Sequence, residues 1–202
     1  MLSKPKYKIC KRLGSGVYEK CQTEKFALSE ARVKKTFKRR RNLSDYGRQL
    51  LEKQKVRFTY GITEKQLRKY VSRAVITKEP AAELYKGLET RLDNTVYRLG
   101  FAPTRRAARQ MVSHGHIIIN TKRMTVPSHI VKKGDIIEVR EASKDKTLFV
   151  GNSETISAHT APKWLAVDSK KLTASVKSTP EFVEVEVGFE LPVVFEFYSR
   201  FL

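Results

Sequence analysis

The strongest hydrophobic periodicity runs through Leu84, Leu88, Leu92, Val96 and Leu99, at steps of three and four residues. That spacing lines one face of an α-helix. Pro80 suits the first turn, where a missing N–H costs nothing, and Gly100 suits the end, so one helix is predicted through AAELYKGLETRLDNTVYRLG. Upstream, LSDYGRQLLEKQKVRFTYG at 43–61 predicts a helix with Ser44 as N-cap and Asp45 in the first turn. Leu50, Leu51 and Val56 form its inward stripe, and Gly61 terminates it. Thr63 and Gln66 have the spacing of a capping box and open a second helix, with Lys65, Arg68 and Lys69 on its outer face. Thr104 caps a further helix, RRAARQMVSHG, which turns Ala107, Ala108, Met111 and Val112 inward and leaves Arg105, Arg106 and Arg109 mostly opposite.

The pattern changes at His116. IIIN followed by TKRM and TVPSHIV reads as two short strands separated by a turn. KKGD at Lys132–Asp135 is a tight turn with Gly134 suited to positive φ, and IIEVRE at Ile136–Glu141 is a third strand. Two packed helices followed by a small, strongly turned sheet make a compact module. Residues 142–162 are polar, a loop or a poor helix, and KWLAVD follows, anchored by Trp164 and Leu165. The final stretch, FVEVEVGFELPVVFEFY, alternates apolar and acidic residues and predicts a strand with one wet face. Residues 1–42 have weak periodicity and read as an irregular basic arm with short helical pieces. The fold class is α+β.

Charge decides the partner. The 202 residues hold 41 Lys and Arg against 21 Asp and Glu, a net of +20, which points to a polyanion. Residues 1–60 carry 18 basic against 5 acidic residues, 61–120 carry 11 against 5, and the remaining 82 carry 12 against 11. The excess is therefore lodged in the first 120 residues. Its densest block, RVKKTFKRRR at Arg32–Arg41, repels itself and needs an anion or an unstructured state to be tolerated. These basic groups are spread over several helices, a loop and an arm, interleaved with Tyr60, Tyr70, Tyr85 and Tyr97. A dispersed footprint suits a folded RNA recognised by shape better than a DNA major groove.

Other chemistry is sparse. No window of 18 continuous apolar residues exists, and the basic N-terminus has no apolar stretch behind it, so neither a transmembrane helix nor a secretory signal is expected. GSG at Gly14–Gly16 lacks the Lys-Ser/Thr of a phosphate loop. Asp93 has no paired carboxylate at useful spacing and reads as part of a helix-surface polar network with Arg91 and Asn94. His114 and His116 make a poor metal-ligand set. Cys10 and Cys21 read as two free thiols in a reducing cytoplasm.

Three stretches carry a resemblance: LSDYGRQLLEKQKVRFTYG at 43–61, RLDNTVYRLGFAPTRRAARQMVSHGHIIIN at 91–120, and KWLAVD at 163–168 with FEFYSR at 195–200. The chain resembles the family of bacterial-type small-subunit ribosomal protein number four. The resemblance implies a mainly helical first domain into which the small RNA-binding module is inserted. In these terms 1–42 is the basic arm, 43–90 the helical domain completed by 163–202, 91–141 the inserted module and 142–162 a polar connector. It implies a structural constituent of the small ribosomal subunit, not an enzyme, that binds 16S-type ribosomal RNA during assembly. Implied partners are ribosomal protein five of the small subunit and messenger RNA, with an influence on translational accuracy where the messenger enters. No membrane partner or homo-oligomer is expected. The location is the cytoplasmic ribosome, an organellar ribosome being the lesser alternative.

On this reading Ser44, Tyr46, Arg48, Lys53, Lys55 and Arg57 face RNA or organise that face in the first domain, beside Lys65, Arg68 and Lys69. Arg91, Asn94, Arg98, Arg105, Arg106, Arg109, Ser113, His114 and His116 form the module's face. The arm adds Arg32, Lys34, Lys35, Lys38, Arg39, Arg40 and Arg41. Some members of the family hold zinc with four N-terminal cysteines; with Cys10 and Cys21 alone, no cofactor is expected here. The alternatives are an RNA-modifying enzyme of the pseudouridine-synthase type, for which the roughly 60 residues after the module are too few, and a stand-alone RNA-binding factor.

Overall fold

The computed structural model describes residues 5–32, 44–144, 146, 149, 159–169, 171–183 and 188–201. Among these, nine α-helices occur: α1 Lys6–Leu13, α2 Glu24–Ala31, α3 Asp45–Thr59, α4 Glu64–Ala74, α5 Pro80–Glu89, α6 Leu92–Arg98, α7 Arg105–Ser113, α8 Glu141–Lys144 and α9 Leu191–Tyr198. Five strands, β1 Ile117–Ile119, β2 Lys122–Met124, β3 Ile136–Val139, β4 Leu165–Asp168 and β5 Thr173–Val176, form one antiparallel sheet in the order β2-β1-β3-β5-β4. The chain divides into two compact units, residues 1–81 with 183–202 and residues 82–182. No described helix is long and apolar enough to cross a membrane.

In the first unit α3 is the central element and packs against α9. Ser44 caps α3 by accepting a hydrogen bond from the Gly47 amide, and Gly61 turns the chain after it at φ +60°. Thr63 and Gln66 form the reciprocal capping box that starts α4. The strand predicted over 182–198 is corrected at its end. Leu191, Val194, Phe197 and Tyr198 fall three, three and one residues apart, which is helical spacing, and all are buried on α9. Glu184, Val185, Glu186 and Val187 lie outside the described residues.

The N-terminal end of this unit holds a second correction. Cys10 and Cys21 are joined as a disulfide, with Cα atoms 6.5 Å apart, instead of standing as free thiols. The 3₁₀ turns Ser15–Val17 and Glu19–Gln22 fold the chain back on α1. Both sulfurs are thereby buried with Leu13, Val17 and Phe26 in a small apolar cluster, a proximity that linear spacing does not express.

The second unit encloses the larger core, built from Leu92, Val96, Leu99, Phe101, Met111 and Val112 against Ile117, Ile137, Ala174, Val176, Trp164 and Leu165. The single helix predicted through 80–100 is broken between Glu89 and Leu92. Arg91 is extended at φ −66°, ψ 135°, and bridges Ile130. The Leu92 amide donates to the His129 carbonyl and the Val131 amide to the Thr90 carbonyl, so backbone pairing with the 127–131 segment replaces helical hydrogen bonding across Thr90 and Arg91. That segment, predicted as part of a strand, contributes only this isolated bridge among the described residues. KWLAVD also changes place. Its residues Leu165–Asp168 are β4, paired through β5 to β3, so residues 163–182 belong with the sheet instead of completing the helical unit.

Candidate nucleic-acid interface

α6 and α7 pack together and carry the densest ionic network of the second unit. Thr104 caps α7 by accepting from the Ala107 amide, which sets the first turn so that Arg105 and Arg109 lie one helical turn apart. Asp93 is buried in the first turn of α6 and accepts from Arg91 Nε at 3.1 Å, Arg91 Nη2 at 2.8 Å, Arg109 Nε at 2.8 Å and Arg109 Nη2 at 2.6 Å. Glu89, fully buried, accepts from Arg98 Nε and Nη2, each at 2.9 Å, and from Asn94 Nδ2 at 2.9 Å. Asn94 Oδ1 in turn accepts from Arg105 Nε at 2.8 Å, and the Arg105 guanidinium lies 4.4 Å over the Tyr97 ring. Four guanidiniums are thus organised by two carboxylates and one amide. Two-point clasps of this kind suit the planar fork of arginine and would not suit lysine.

The network is not sealed. About a third of the Arg98 and Arg109 side chains reaches solvent, at 33% and 32%, whereas Asp93 and Glu89 expose 4% and 1%. Arg106, on the same helix, is exposed, as are Ser113 and His114 at its far end. There the β1–β2 hairpin comes in. Arg123 Nη2 donates to the carbonyl of His114, the C-cap of α7, and its guanidinium lies over Gly115, where a Cβ would meet the guanidinium. Gly115 also takes φ +72°, and it is this backbone conformation that favours glycine, since the Arg123 side chain could shift aside. Lys122, Arg123, Lys132 and Lys133 are exposed around the hairpin.

His116 is on the other side of this corner. Its ring is buried, Nδ1 is 2.9 Å from Ser143 Oγ, and Phe149 packs edge-on against it. Burial, together with Lys146, His114, Arg123 and Arg140 nearby, holds its pKa below the usual 6.5 and favours the neutral ring.

The first unit arranges charge differently. Lys53 is buried, donates to Glu64 at 3.0 Å and lies 4.3 Å over the Phe197 ring. Arg57 and Tyr198 also donate to Glu64, at 3.2 and 2.6 Å. Partial burial opposes ionisation of Glu64, but these hydrogen bonds outweigh it and hold the carboxyl below its usual 4.5. The Tyr198 hydroxyl is pushed up by burial and by Glu64. Lys55 pairs with Glu52, whose other oxygen accepts the Glu190 amide before α9. Tyr46 leans on Phe197, and Arg48, Lys65, Arg68 and Lys69 are exposed, with Arg68 donating to the Phe201 carbonyl.

Of the residues expected to face RNA, four are inside. Lys53 is 6% exposed, Arg91 2%, Asn94 2% and His116 7%, because each has a buried partner within its own unit. Their side chains are buried against neighbours instead of facing solvent, which for Lys53 fits the organising half of its expectation. Asp93, expected at a helix surface, is the buried hub, and Glu89 was not singled out at all. Both carry a local signal: Arg91 lies within two residues of each acid, and Glu89 follows the inward-facing Leu88. Arg32 is exposed just past α2, whereas Lys34, Lys35, Lys38, Arg39, Arg40 and Arg41 lie outside the described residues. Among the described residues, no group of three or more His, Cys, Asp or Glu is placed to hold a metal ion.

Residues 1–93 match the family model described as ribosomal protein S4/S9 N-terminal domain, and residues 90–137 match the S4 domain. The chain is similar to small ribosomal subunit protein uS4 of Aquifex aeolicus, 45% identical over 166 residues that cover 80% of this chain and 79% of the relative. It is 41% identical to that of Chloroflexus aurantiacus over 200 residues, 97% of each chain, and 39% identical to that of Acetivibrio thermocellus over 199 residues, 96% of each. Identity at this level across nearly the whole length of both partners leaves no room for a shared module alone: the chain belongs to the family of small ribosomal subunit protein uS4.

Proposed function

We propose that this protein is a structural, non-catalytic constituent of the small ribosomal subunit that binds 16S-type ribosomal RNA. The observation that carries the reading is the α6–α7 pair, where partly exposed Arg98, Arg105 and Arg109 and exposed Arg106 stand on a rigid, apolar-backed scaffold within the S4-domain match. Guanidiniums in fixed positions neutralise and dock phosphates, which contributes affinity and register more than base choice. Ser113, His114 and the hairpin cations Lys122 and Arg123 extend that surface; Arg48, Lys55, Arg57, Lys65, Arg68 and Lys69, organised by Ser44 and Tyr46, form a second one on the first unit. The basic block from Arg32 to Arg41 supplies further phosphate contacts.

Membership of the uS4 family supports the finer assignments: binding within the 5′ domain early in assembly, contact with ribosomal protein five and with messenger RNA where it enters, residence in the ribosome of the cytoplasm, and no cofactor. The alternative of a modifying enzyme lacks support, since the match to a uS4 relative covers 97% of each chain.

Replacing Arg105, Arg106 and Arg109 together by Ala tests the reading. Filter-binding titrations against a transcript of the 5′ domain of small-subunit ribosomal RNA should show weaker affinity, with the slope of log affinity against log salt reduced in magnitude by about 2. Unchanged affinity and slope would overturn the assignment.

A further inference from the structure

The two buried acids of the second unit invite a test of sign. Asp93 and Glu89 sit beneath a surface whose work is to attract phosphate, and net charge alone says that removing either should tighten RNA binding. The geometry says the opposite. Each carboxylate clasps an arginine through Nε and an Nη: Asp93 holds Arg109, Glu89 holds Arg98, and Glu89 also orients Asn94, whose carbonyl oxygen holds Arg105. Without these clasps each arginine would sample many rotamers and would have to be immobilised on RNA at the moment of binding.

We infer that Asp93 and Glu89 are positioning residues for RNA recognition, presetting Arg98, Arg105 and Arg109 as a rigid array of guanidiniums for phosphates. The inference rests on the RNA-binding reading above and deepens it. Asp93 is the sharper probe, since four of the hydrogen bonds on its carboxylate come from Arg91 and Arg109. Arg91 is buried and anchors the carboxylate from below, so Arg109 is the arm through which Asp93 reaches the surface.

The experiment is a double-mutant cycle on the full chain, with a 5′-domain transcript of small-subunit ribosomal RNA as probe. Asp93→Asn should weaken binding about five- to tenfold, the cost of ordering one or two arginines, although it raises the net charge by one. In an Arg109→Ala background the same substitution should have less than half that effect, because its arm is already gone. Glu89→Gln, read against Arg98→Ala, repeats the cycle for the second acid. A general folding defect would add to Arg109→Ala instead of vanishing in it. Arg109→Lys, which leaves Asp93 paired with Arg91 and keeps the charge, should weaken binding by at least threefold while the circular dichroism of the free protein is unchanged; it decides the matter if Asp93→Asn fails to fold. Tighter or unchanged binding by Asp93→Asn, full additivity in the cycle, or wild-type affinity in Arg109→Lys would each overturn the inference. Failure of the unmodified protein to bind the transcript would instead overturn the functional reading beneath it.

Discussion

The two units solve one problem, holding many cations at a surface, in different ways. In the second unit arginines are clasped by carboxylates that have almost no contact with water, Glu89 and Asp93. In the first unit the hub is Glu64, 42% exposed, and its buried partner is the lysine Lys53 rather than the acid. An ionised carboxylate removed from water is stable only while its donors stay, so the second unit's network is stiff and intolerant of loss. A half-exposed carboxylate can always fall back on water, so the first unit's network is weaker and more forgiving. On the reading proposed above, the difference would separate a preset surface from one free to adjust.

Substitution of the two hubs should break or sustain that contrast most directly. Asp93→Ala is expected to cost about 3–5 kcal/mol, since it strands buried Arg91 and part of Arg109. Glu64→Ala leaves buried Lys53 to the Phe197 ring and to water entering at the half-exposed carboxylate's place, so it should cost less, about 1–2 kcal/mol. Urea denaturation followed by circular dichroism, with hydrogen exchange to assign the loss to α6–α7 or to α3–α4, measures both. Comparable costs would dissolve the distinction.

A smaller effect tests the helix starts. Thr104→Ala removes the cap that aims α7 and should cost about 1 kcal/mol and weaken RNA binding with it. Ser44→Ala on α3 should cost a similar amount of stability. If Thr104→Ala destabilises without touching affinity, the rigid-array picture of the second unit needs revision.

The smallest expected effect is a pH dependence that orders the two units. His116 has a folded-state pKa below 6.5, so the neutral ring is the native form; its contribution is fully present above 6.5 and is lost as pH falls from there toward the lowered value. Glu64 is also depressed, but its contribution survives down to about 4.5 and fades only below that. Once corrected for the intrinsic slowing of amide exchange at lower pH, protection at β1 and α8 should therefore fall as pH drops below 6.5 while α4 remains protected. His116→Gln should remove most of that dependence, and an identical pH profile in the variant would exclude His116 as its origin.

Much of this architecture was legible in the chain. Capping at Ser44, Thr63 and Thr104, the glycine turns at Gly61, Gly100 and Gly134, and the apolar faces of α4 to α7 follow from local rules: a side-chain oxygen for orphan amides, a missing Cβ at positive φ, and a period near 3.6 residues. What the periodicity missed was decided at long range. Leu84 to Leu99 keeps its helical spacing across the break at Thr90–Arg91, because both α5 and α6 bury those leucines while the backbone between them pairs with residues 127–131. Trp164 and Leu165 were recognisable as core residues, but only strand pairing shows which core.

The sequence by itself determined the partner class and the surface chemistry. A net charge of +20, concentrated in the first 120 residues, demands a polyanion in any fold these residues adopt. It could not distinguish a cation that meets solvent from one that meets a buried acid, since Arg91 and Arg106 are the same residue type in similarly basic surroundings. Tertiary structure made that division. It brought Asp93 under α7 and Glu89 against α6, put Lys53 over Phe197, and joined Cys10 to Cys21, because burial and pairing depend on what the fold places within about 3–4 Å, not on neighbours along the chain.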